Sequence, residues 1–173
     1  MLEAVVLIDD EHWGKGPSHI NPMIDLIVKQ YEALQEVRRL KNQNYELQEA
    51  IAASQNRLHN NPPEAIANAA IPNKLQVLWN ELDVAEVELE KASPNPDRLQ
   101  EIAKRLLGLA ADLAKYCGQK ADLAISKAAE EIGTSGTKWA IRVGAGSLVA
   151  QTEGAQNLGK MLFDLAKTLT IGG

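Results

Sequence analysis

A chain of 173 residues with a formal net charge of −5 can bury about two thirds of the surface its unfolded form exposes, so it needs no disulfide staples to hold a core. The acidic balance gives no electrostatic reason to seek phosphate backbones, which sets nucleic acid aside as a partner. The single cysteine, Cys117, closes no intrachain disulfide and points to a reducing compartment, the cytoplasm. Aromatic residues make up 4% of the chain, while Ala, Leu, Glu, Gln and Lys abound. This is the usage of helices joined by aliphatic contacts. The expected fold is therefore all-α: an antiparallel helical bundle with a long, coiled-coil-like N-terminal helix, a helical hairpin and one short N-terminal strand.

The strand is expected over Ala4 to Ile8, an apolar β-branched run ended by Asp9 and Asp10. The same end lacks the basic start and small-residue cleavage site of a secretory signal. Trp13-Gly14-Lys15-Gly16-Pro17-Ser18 reads as a loop, and residues 1–21 form a strand and loop segment. Asn precedes Pro at Asn21-Pro22, Asn61-Pro62 and Asn95-Pro96, each with an early acid, Asp25, Glu64 or Asp97. Asn caps helices, Pro suits the first helical position and an acid suits the positive end of the dipole, so all three read as helix starts.

The first helix is expected from Pro22 to about Leu58, within a 22–60 segment, and spans about 55 Å at 1.5 Å per residue. Ile24, Ile27, Tyr31, Leu34 and Val37 make a narrow apolar stripe, resumed by Leu47, Ile51 and Leu58 across a polar stretch of Gln43, Asn44 and Gln48. Residues 61–131 hold the hairpin. Its seam is Leu75, Leu78, Leu82, Ala85 and Leu89 on one arm and Leu99, Ile102, Leu106, Leu109, Leu113 and Tyr116 on the other, joined by Ser93-Pro94-Asn95-Pro96. So short a turn lets the arms bury their seams only by folding back. Glu81, Asp83, Glu86, Glu88 and Glu90 are expected to form an acidic outer face. Residues 132–173 are rich in glycine but regain helical spacing at Leu158, Met161, Leu162, Leu165 and Leu169, and read as a looser helical segment packed on the hairpin or on a partner.

Several motifs fall short of the chemistry they suggest. Val5 to Glu11 resembles the first strand and acidic pair of response-regulator receiver domains, but a long helix follows where that family needs further strands, a phosphorylated aspartate and a distal lysine. His12, His19 and His59 are too few and too scattered for a metal set, and Cys117 has no histidine at helical spacing to act as its base. Gly133 to Lys138 has the wrong spacing for a phosphate loop, and Gly144-Ala145-Gly146 lacks the third glycine of a dinucleotide fingerprint. No cofactor, metal or catalytic set is therefore expected, and the chain reads as a non-enzyme.

Residues 73 to 131, with their Pro-x-Pro turn, resemble the helical hairpins of small bacterial proteins, some attached to conflict or signalling effectors. This likeness names no family. The expectation that follows from the residues is a non-enzymatic protein–protein interaction or oligomerisation module whose partner is a protein or a second copy. Ile27, Tyr31, Leu34, Val37, Leu47, Ile51, Leu58, Glu86 and Glu88 are its candidate contacts, because one short hairpin does not cover the whole stripe of so long a helix. The rival is a membrane-active or effector-associated helical protein of a bacterial conflict or signalling system. It draws on the C-terminal glycines and a small positive excess from Lys138, Arg142, Lys160 and Lys167.

Overall fold

The structure, a computed structural model, describes residues 5–6, 8–57, 70–130 and 135–172, with side-chain environments for 5–6, 8–45, 74–115 and 149–170. Five helices account for nearly all of it: α1 (Asp10–Trp13), α2 (Pro17–Arg57), α3 (Ala70–Leu89), α4 (Pro96–Glu130) and α5 (Ser135–Gly172). Among the described residues there is no strand. Val5 and Val6 are helical, and the Ile8 N–H donates back to the Val5 carbonyl at 3.3 Å. The expected strand over 4–8 is thus corrected. A lone strand has no neighbour to take its backbone groups, and a local turn satisfies them instead.

The start of α2 also differs from expectation. Gly16 adopts a left-handed φ of 89° that turns the chain out of α1, and Pro17 then takes the first helical position. Pro22, expected to open the helix, lies inside it. Asn95-Pro96 behaves as its chemistry predicts: Asn95 Oδ1 accepts from the Arg98 N–H at 3.1 Å and the Asn95 carbonyl accepts from the Leu99 N–H at 3.0 Å. The third pair, Asn61-Pro62, lies outside the described residues.

Four long helices pack in a closed ring. α2 touches α3, α3 touches α4, α4 touches α5 and α5 returns to α2, while the diagonal pairs stay apart among the described residues and α1 rests on α2. Cross-links on the α3–α4 edge run in opposite numerical order, Arg105 to Glu81 and Lys74 to Asp112, so α4 folds back along α3. The α2–α3 links, Gln30 to Leu89 and Lys41 to Asp83, run the same way. The core inside the ring is aliphatic: Val37 and Leu40 from α2, Leu75, Leu78, Leu82 and Leu89 from α3, Leu99, Ile102, Leu106 and Leu113 from α4, and Leu158, Leu162 and Leu165 from α5 are all buried. The hairpin seam expected from spacing is this core, with Leu109 half-buried at its margin and the Tyr116 side chain outside those described.

The C-terminal segment, expected to be loose, is instead one 38-residue helix. Two of its glycines sit where helices meet. A Cβ on Gly154 would collide with the Leu40 side chain of α2, and one on Gly159 would lie 2.8 Å from Leu107 Cγ and 3.3 Å from the Ala103 carbonyl of α4. Glycine is therefore the residue that lets α5 approach both neighbours at once.

Candidate interaction surface

The edge between α2 and α3 carries a dense set of charged and aromatic groups. On α2, Tyr31, Arg38 and Tyr45 recur every seven residues, which keeps them close to one helix face. Both tyrosines are exposed, Tyr45 by 65%. Arg38 donates to Glu86 at 3.2 Å and to Glu90 at 3.0 Å, and Lys41 Nζ lies 2.6 Å from both Asp83 and Glu86. Gln30 Nε2 reaches the Leu89 and Lys91 carbonyls at 2.6 and 2.9 Å. In doing so it satisfies the last carbonyl of α3, which has no partner within its own helix, and one just beyond the helix end.

These contacts set the ionisation of the edge. The Lys41 ammonium, opposed by partial burial and helped by Arg38, holds the Glu86 carboxyl below its usual range. Asp83, then Glu86, raises Lys41, and Glu86 with Glu90 raises Arg38. Beside them Val87 of α3 is 64% exposed, and a shallow recess of about 220 Å³ opens between Lys41, Asn44, Tyr45, Gln76, Trp79 and Asp83. A larger depression of about 560 Å³ lies over the α3–α4 turn. Its lining groups serve the turn: Glu88 accepts from the Asn95 N–H at 2.8 Å and from Lys91 at 2.6 Å, and Arg98 pairs with Glu101 at 2.8 Å.

The residues singled out from sequence are distributed unevenly on this geometry. Tyr31 is on the exposed edge. Ile27 and Leu34 are half-buried, and Val37 is fully buried in the core. The side chains of Leu47 and Ile51 are outside those described, and Leu58 is outside the described residues. Glu86 and Glu88 do not form an outer acidic face: Glu86 turns toward α2, and Glu88 is buried at 4% exposure under the turn. Burial pushes the Glu88 carboxyl up, but the Lys91 ammonium and the Asn95 N–H outweigh it and leave it below its usual range. Sequence spacing passed over Arg38, Lys41, Tyr45 and Val87, and placed Asp83 on an outer face rather than against α2. The seven-residue recurrence of Tyr31, Arg38 and Tyr45 was the available signal.

Among the described residues, no three or more His, Cys, Asp or Glu side chains gather to hold a metal ion, and no helix is long and apolar enough to cross a membrane. No family model matches the chain, and no curated protein or solved structure is significantly similar to it.

Proposed function

We propose that this chain is a non-enzymatic interaction module that pairs with a second copy of itself through the α2–α3 edge. The observation that carries the reading is the composition of that edge. Exposed Tyr31, Tyr45 and Val87 stand among ion-paired Arg38, Lys41, Asp83 and Glu90, and tyrosine and arginine beside apolar side chains are the residue types that dominate binding energy at protein interfaces. The charge arrangement favours a copy of the same chain. Cations line α2 and acids line α3, so a two-fold axis along the edge would set each cationic helix against an acidic one.

Multi-angle light scattering across the micromolar range tests the proposal. The expected result is a mass of two chains at the upper end, reduced to one chain by the combined surface changes Tyr31→Ala, Tyr45→Ala and Val87→Ser with helicity retained. A wild-type chain that stays monomeric throughout would overturn it. Flotation with liposomes is the counter-test, since a monomer that rises with the vesicles would transfer the function to a membrane surface.

A further inference from the structure

His12 and His19 face each other across the bend between α1 and α2. His12 Nδ1 lies 2.9 Å from His19 Nε2, the rings are parallel within 5° and their centroids are 5.2 Å apart. That separation is what a 2.9 Å contact plus two ring radii amounts to when the rings lie end to end. The two imidazoles therefore share nearly one plane and point nitrogen to nitrogen, rather than stacking face on face. In this posture one nitrogen must donate and the other must accept. The pair works with both rings neutral, or with one proton added, and fails when both are protonated, because two N–H donors and two positive charges then meet.

The pair is placed where its rupture would matter. α1 is four residues long and touches only α2 among the described helices. Within this end the Trp13 indole donates to the Ile8 carbonyl at 3.2 Å, and Ile8 and Ile20 on either side of the bend are buried. Charged groups around this bend are Asp9, Asp10, Glu11 and Lys15 at α1 and Asp25 and Lys29 in the first turns of α2. Glu11 is engaged by Lys15 at 2.9 Å, and Lys29 by Thr168 at 3.0 Å. None of these groups supplies the acceptor that a doubly protonated pair lacks.

We propose that His12 and His19 form a proton-sensitive latch that holds α1 against α2 near neutral pH and releases it in mild acid, uncovering Ile8 and Ile20. The latch is independent of the α2–α3 edge and would operate in a monomer.

The test reads Trp13 alone, in the full chain carrying Trp79→Phe and Trp139→Phe. Trp13 is 45% exposed, so its full release corresponds to about a twofold rise in acrylamide quenching as the pH falls through and below the ordinary histidine range. Adding His12→Gln and His19→Gln is expected to abolish that rise, because amides accept and donate without titrating. Quenching that does not change with pH overturns the latch, and so does an equal rise in the glutamine variant. If the tryptophan changes disturb folding, amide protection at His12 and Gly14 in the unaltered chain serves instead. Both amides bond within the α1 turn, to Asp9 and Asp10. Protection, corrected for intrinsic exchange, is expected to drop in acid, and its retention overturns the proposal.

Discussion

At the scale of single residues, the glycines of α4 and α5 have opposite roles. A Cβ on Gly108 would meet nothing within 4 Å, so Gly108→Ala is expected to stabilise the chain by up to about 1 kcal/mol through helix propensity alone. Gly154→Ala drives a methyl into Leu40, which is fully buried and has little room to yield. Its expected cost is about 1 to 3 kcal/mol, and paired urea melts check both signs. Glu88 offers a second contrast. Because it holds the Asn95 N–H under the turn, Glu88→Ala is expected to cost about 1 to 3 kcal/mol, whereas exposed Glu32→Ala should stay within about 0.5 kcal/mol. Equal melts for the two glutamate variants would mean that the buried carboxylate contributes nothing to the turn.

At the scale of elements, the α2–α3 edge ties stability to pH. The Glu86 carboxyl sits below its ordinary range because of Lys41 and Arg38, so in acid the unfolded chain takes up a proton there before the folded chain does. That contribution is complete above the ordinary glutamate range and is lost as the pH falls through the folded-state value. Urea midpoints are expected to drop below about pH 4. With Lys41→Met the drop should be shallower, since the larger of the two cationic influences is gone. Parallel pH profiles for wild type and variant would show that Lys41 does not set the ionisation of Glu86. These ion pairs are mostly solvent-exposed, and pairs of that kind add little to stability on their own. Apolar burial holds α2 to α3, and the charges choose its register.

At the scale of the whole molecule, the ring makes each helix depend on two neighbours. α5 is the clearest case, since Leu158, Leu162 and Leu165 fill space shared with α2 and α4. Truncating Leu82 on α3, Leu106 on α4 or Leu158 on α5 to alanine is expected to cost about 2 to 5 kcal/mol each. In every case helicity and tryptophan emission should melt together, as one cooperative unit. An early separate loss of one signal would show that part of the ring unfolds alone.

What the sequence determined by itself was the identity of the core and the kind of element that carries it. Leu75, Leu78, Leu82, Leu99, Ile102, Leu106 and Leu113 recur with helical spacing, and periodicity of that kind is a property of the chain before it folds. The Asn95-Pro96 start was equally legible, because a cap and the first turn it serves are neighbours in sequence. The start of α2 was not: Pro17 read as part of a loop and Pro22 as the first helical residue, and the left-handed Gly16 sets the chain so that the helix already begins at Pro17. Only the tertiary structure decided which polar groups face water. Glu86 and Glu88 lie off the apolar stripe of α3 and read as an outer face, yet α2 packs against one and the α4 turn closes over the other. Val37 belonged to the same stripe as Tyr31, and only the arrival of α5 and α3 buries one and leaves the other exposed. A helix records its own periodicity, but the neighbours that pack on each side come from distant parts of the chain, and they settle which faces remain free.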